Sequence, residues 1–103
     1  MGNFKNKMFI GSEWGFNFSG VYCVCTKINN DLSQRRVWYV GSAKCISTRF
    51  TDPKHPYRIL KEKGLEPFIR AYKTDEYRKL EKRIISLLNP PMNKQHRRII
   101  FKI

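Results

Sequence analysis

Three cysteines, at positions 23, 25 and 45, are all the chain has. An odd number at this spacing makes no disulfide framework, which excludes a small stapled secreted fold and points to a reducing compartment. No apolar run nears the roughly 18 residues of a membrane helix, so no membrane is expected. The N-terminal residues lack the apolar region of a signal peptide, and Asn6 breaks the myristoylation pattern that Gly2 would open. Gly and Pro are sparse, at six and five residues, and no repeat or low-complexity tract is present. Acidic residues are scarce as well, eight in 103.

Against those eight acids stand 21 Lys and Arg, a formal net charge of +13. Such a field on a small domain favours a polyanion, whether DNA, RNA or an anionic surface, although it also serves solubility. A hydrophobic fraction of 41% with 14% aromatic residues argues against disorder, and the length suits one domain. The basic excess is spread along the chain and ends in an acid-free tail over 94–103, with Arg97 and Arg98 beside Ile99, Ile100 and Phe101. Residues 1–19 hold scattered aromatics among Gly, Asn and Ser, without a helical or strand period, and read as an irregular arm that packs aromatics such as Phe16 onto the domain or onto a second subunit.

The string GVYCVCTKI over 20–28 reads as a strand, followed by a turn cluster at Asn29, Asn30 and Asp31. Val37 to Val40 is a second strand in a hairpin with the first. Ser42 can cap a short helix through Phe50, with Ala43, Ile46 and Phe50 on one face. Pro56 opens another helix that Gly64 closes, and Pro67 to Lys73 is a third strand. Thr74 then caps a long helix to Leu88, with Asp75 and Glu76 in its first turn, and Asn89, Pro90 and Pro91 stop it. The order β-β-α-α-β-α predicts an α+β fold: a small three-stranded antiparallel sheet flanked by helices.

Two charged residues stand out. Tyr77, Leu80, Ile84, Leu87 and Leu88 form one stripe of the last helix, and Glu81 falls inside it. A carboxylate facing a core must be paired, hydrogen-bonded or on a metal; an ion pair to Arg49 and a functional role are both open. Arg49 borders the apolar side of its own helix, where it can snorkel or hold a carboxylate or phosphate. Cys23 and Cys25 share a strand face opposite Tyr22; without a fourth ligand or a CxxC spacing they read as core.

The triplets Gly20-Val21-Tyr22 and Tyr39-Val40-Gly41 complete a pattern. With Ser42 and Ile46 after the second triplet, Arg49 eight residues past Gly41, Glu81 nine before Pro90 and Asn93 three after it, the chain resembles the GIY-YIG nuclease family from Gly20 to Asn93. The ending LNPPMNKQH is similar to that of small phage endonucleases of the family. The resemblance divides the chain into an arm (1–19), a catalytic domain (20–93) and a basic tail (94–103). It implies a DNA endonuclease in the cytoplasm of a bacterium or phage-infected cell. Glu81 would hold one Mg²⁺, for which Mn²⁺ could substitute, and Arg49 the scissile phosphate. Tyr22 would activate water, Tyr39 would position phosphate or water, and Asn93 would tie the C-terminal segment to the site.

Past Arg49, the segment FTDPKHPY offers Lys54, His55 and Tyr57 as base or phosphate contact, with a plain helix cap as the other reading of His55. The long separation of Tyr22 and Tyr39 points to an extended hairpin in which Arg35 and Arg36 touch DNA, with Arg97 and Arg98 of the tail. Cutting both strands would call for a homo-oligomer or a partner protein. A non-catalytic nucleic-acid-binding module and a structure-specific repair nuclease with a partner are the alternatives.

Overall fold

The computed structural model describes residues 8–11, 15–29 and 31–93. The β-branched and aromatic runs build the sheet. Strands β2 (Gly20–Ile28) and β3 (Asp31–Ala43) form an antiparallel hairpin through Asn29, whose φ of 57° is a left-handed conformation that Asn tolerates. Strand β4 (Phe68–Lys73) pairs with the other side of β2, and β1 (Met8–Gly11) pairs with β4. The sheet is four-stranded and antiparallel, in the order β1-β4-β2-β3. A 3₁₀ helix (Ile46–Thr51) and helices α1 (Pro56–Glu62) and α2 (Tyr77–Leu88) complete it, so the α+β class holds.

Alternation along β2 splits its side chains between two cores. Tyr22 and Val24 face Ile46, Phe50, Tyr57 and Leu60, together with Phe16 and with Ile69 and Ala71 of β4. Val21, Cys23 and Cys25 face the other way with Val40, and α2 covers them with Tyr77, Leu80, Ile84 and Ile85. A bulge sets the phase of β3: Val24 faces Tyr39 and Cys25 faces Val37, leaving Trp38 as the extra residue. Val37 therefore lies on the α2 side, while Trp38 and Tyr39 both lie on the other.

Several expectations are corrected. The sheet has four strands, because Met8–Gly11, within the stretch read as an irregular arm, forms an edge strand. It lacks a clear alternation because Met8, Phe9 and Ile10 are all partly exposed. Phe16 is a core residue, packed onto the domain as expected and held by reciprocal bonds in which its N–H donates to Ser47 Oγ and its carbonyl accepts from the Ser47 N–H. The second strand is 13 residues long. Ser42 belongs to that strand and caps no helix; the helix after it is 3₁₀ and begins at Ile46. Helix α2 starts at Tyr77, after Asp75 and Glu76, because Thr74 Oγ accepts the Glu76 N–H in a local turn instead of capping the helix. Leu87 and Leu88 are exposed, and Ile85 takes their part in the buried stripe. Asn89, at φ 53°, ends α2 and lets Pro90 turn back into a buried position. Helix α1 runs from Pro56, and Gly64, at φ 86°, follows its last turn as expected. No helix among the described residues is long and apolar enough to cross a membrane.

Candidate active site

Tyr22 and Gly41 are cross-strand partners. A Cβ on Gly41 would lie 2.5 Å from the Tyr22 hydroxyl oxygen and 2.6 Å from its Cζ. Glycine is therefore what lets the phenol lie against the β3 backbone. A Cβ on Gly20 would collide with the Tyr72 carbonyl of β4. Both glycines answer to close approach rather than to turns.

Above Tyr22 sits His55, buried and at the N-cap of α1. Its Nδ1 accepts the Tyr57 N–H at 3.1 Å, and its Nε2 lies 2.8 Å from the Tyr22 hydroxyl. A nitrogen that accepts from a backbone N–H carries no proton. The hydrogen-bond partners therefore assign the proton of the neutral ring to Nε2, which donates to the Tyr22 oxygen. His55 is both a cap and a site residue. Its ring lies 4.8 Å from that of Phe50 and 5.6 Å from those of Tyr22 and Tyr39, centroid to centroid.

Burial holds the Tyr22 phenol well above its ordinary range; Tyr39 adds to the rise, and the Arg49 guanidinium opposes it. Tyr39 is raised in the same direction, by burial first and then by the Glu81 carboxylate, again against Arg49. In the protein alone both are neutral phenols near pH 7. The lowered Tyr22 pKa that water activation calls for is therefore not built into the free site.

Glu81 reaches the site from α2. It is partly buried, and the Ser42 hydroxyl donates to its Oε1 at 2.6 Å. Among the described residues no ion pair joins it to Arg49, so the structural explanation considered for Glu81 does not hold; a serine satisfies one oxygen instead. Ser42 pairs with Val21 and lies on the α2 side of the sheet, whereas Tyr22, Tyr39 and His55 lie on the other. An open cleft of about 590 Å³ takes lining from both sides, so it wraps the exposed edge of β3. Tyr22, Tyr39, Arg49, Lys54, His55 and Glu81 all line it.

No protein-family model matches the chain, and neither does any curated protein or solved structure.

The remaining expected residues are distributed otherwise. Asn93 spans the β3 edge: its Oδ1 accepts the Val40 N–H at 2.7 Å and its Nδ2 donates to the Val40 carbonyl at 2.9 Å. It holds the strand and does not line the cleft. Tyr57 is core, its ring edge-on to that of Phe50 at 5.6 Å between centroids, and it does not line the cleft. Arg36 pairs with Thr26 on the Tyr22 side of the sheet and lies 4.8 Å from the Trp38 ring, while Trp38 Nε1 donates to Thr26 Oγ1. Arg35 lies on the α2 side and lines an apolar groove with Arg70 and Leu80, so the two arginines lie on opposite faces of the sheet. Arg97 and Arg98 lie outside the described residues.

Sequence reasoning missed Ser42 as a partner of Glu81, and Arg78 and Lys82 as cleft residues. For the last two a signal existed: they lie four residues apart in the predicted helix, on either side of Glu81 in the sequence.

The carboxylates that line the cleft are Glu81 and Asp52, and Glu81 is the one the resemblance implies for a cation; among the described residues no three His, Cys, Asp or Glu side chains cluster. Mg²⁺ accepts that arrangement, since it keeps several waters and takes one or two carboxylates plus phosphate oxygens. With Ser42 on Oε1, the other oxygen of Glu81 is the one available for a cation. The donor set fits Mg²⁺ and, being all oxygen, Mn²⁺.

Proposed function

We propose that this protein is a metal-dependent DNA endonuclease that hydrolyses phosphodiester bonds at the β3-edge cleft. The observation that carries the reading is the convergence, in one cleft, of Tyr22, Tyr39, Arg49, His55 and Glu81, which come from five separate segments of chain. Arg49 offers a planar fork to the phosphate and to the charge that grows on it in the transition state. Tyr22 meets the attacking water, and its oxygen receives the fixed Nε2–H of His55. That donor and the Arg49 charge both favour the phenolate, which forms when the phenol releases its own proton to solvent in the open cleft and then takes the water's proton, against the burial that opposes it. Tyr39 donates to phosphate or water beside it. Glu81 would hold Mg²⁺, which when bound supplies stabilisation of negative charge on the phosphate and leaving oxygen. DNA is among the polyanions that the +13 charge favours, and a second copy or a partner protein would supply the second cut.

Plasmid nicking with and without Mg²⁺ tests this reading. The wild-type protein should nick with Mg²⁺ and stop in excess EDTA. Glu81→Gln should lose cleavage yet still bind DNA, because the carboxylate that is removed also repels phosphate. DNA binding by the wild-type protein without nicking in Mg²⁺ or Mn²⁺ would leave the non-catalytic binding module instead.

A further inference from the structure

The α2 wall of the cleft carries two cations that the reading above leaves unused. Arg78 and Lys82 both line it, three residues before Glu81 and one after. Four residues apart, they rise from one side of the helix with their Cβ atoms about 5–6 Å apart. The other two cations of α2, Lys79 and Arg83, are spaced identically but turned by about 100°, and neither lines the cleft. Arg49 and Lys54 line the cleft as well, from the segment that includes the 3₁₀ helix. All four cleft cations are exposed, and the acids lining the cleft are Asp52 and Glu81 alone among the described residues. Asp52 is engaged locally, its Oδ1 accepting the Lys54 N–H at 2.9 Å. Among the described residues the side chains of Arg78 and Lys82 make no ion pair or hydrogen bond.

Four cations lining one cleft repel one another unless an anion lies between them. We propose that Arg78 and Lys82 bind the phosphates adjoining the one held by Arg49, so that the DNA strand to be cut runs along α2. Arg78 and Lys82 grip it from the α2 side, and Arg49 and Lys54 from the other. The inference rests on the endonuclease reading and adds the strand's path to it. Rotation about the helix axis separates these two cations from Lys79 and Arg83, which provide a control of equal charge on the same element.

The test is binding of Glu81→Gln protein to a short DNA duplex over a salt series. Each phosphate contact adds about 0.9 to the salt slope on duplex DNA. Arg78→Ala with Lys82→Ala should flatten that slope by about 1.8 and weaken binding at every salt concentration. Lys79→Ala with Arg83→Ala should leave the slope near that of the parent, with thermal melts verifying that both variants fold. Equal flattening by both pairs would overturn the proposal, since net charge alone would then be acting; so would no flattening by either. Wild-type nicking is scored separately. Nicking with an unchanged slope removes the α2 grip and keeps the endonuclease, whereas a flattened slope without nicking keeps the grip and removes the endonuclease.

Discussion

The imidazole of His55 is caught between a helix N-terminus and a phenol. The two demands are compatible only because the ring has two nitrogens in opposite roles, one accepting for the cap and one donating to Tyr22. They can also be separated by substitution. Asn is among the best N-cap residues, but its shorter side chain does not reach Tyr22 from the cap. His55→Asn should therefore keep the cap and melt above His55→Ala, while nicking falls about tenfold or more, as for loss of a group beside the reacting atoms. His55→Ala should lose both contacts and be less stable by about 1–2 kcal/mol, the scale of a lost cap. Melting curves and nicking rates for the two variants decide it. An Asn variant that cuts at the parent rate would leave His55 as a cap and nothing more.

At the scale of elements, β3 governs the site. Its bulge sends Val37 towards α2 and turns Trp38 and Tyr39 to the other side. Its consecutive residues Gly41 and Ser42 then serve the two sides of the edge, one by leaving room for Tyr22 and the other by bonding Glu81. Asn93 holds this strand by its backbone at Val40. Gly41→Ala should force Tyr22 to move, at about 1–3 kcal/mol, the usual scale of overpacking a core, and should remove most nicking activity. Gly64→Ala is the matched control. Gly64 has φ 86° and open space around it, so alanine there strains the backbone but leaves the cleft alone. That variant should lose stability and keep its turnover per folded molecule. Equal activity losses in the two glycine variants would detach Gly41 from the site.

The whole molecule keeps buried thiols and phenols neutral inside a strongly cationic shell. Burial pushes the Cys23 thiol up to about 12 and the Cys25 thiol up to about 11, and it raises Tyr22 as well. In the unfolded chain the thiols ionise near their ordinary value of 9.0. Below that value both states hold the same protons, and the stabilisation is fully present. Above it the unfolded chain sheds protons that the folded protein keeps. Stability then falls by about 1.4 kcal/mol per group for each pH unit, until the folded groups titrate in turn. The melting temperature should be level from neutral pH to about 8.5 and should decline above it. Replacing Cys23 with Ala should make that decline shallower, whatever it costs at neutral pH. A melting temperature that stays level well past 9.0 would show that these thiols ionise within the folded protein.

The sequence by itself determined the elements whose signal is local. Strand β2 follows from its β-branched and aromatic run, α1 from Pro56 and Gly64, and the end of α2 from Asn89 and two prolines. The placement of Cys23 and Cys25 away from Tyr22 follows from strand alternation alone. The composition of the site was partly legible too, since Tyr22, Tyr39, Arg49, Lys54, His55 and Glu81 do meet in one cleft. Tertiary structure alone decided the rest. Met8–Gly11 became a strand because β4 offered it an edge, and a four-residue segment has too little pattern to announce that. Ser42 turned from a helix cap into the partner of Glu81, a residue 39 positions away. His55 combined a cap with a phenol contact because α1 is packed over β2, and no spacing along the chain encodes that distance.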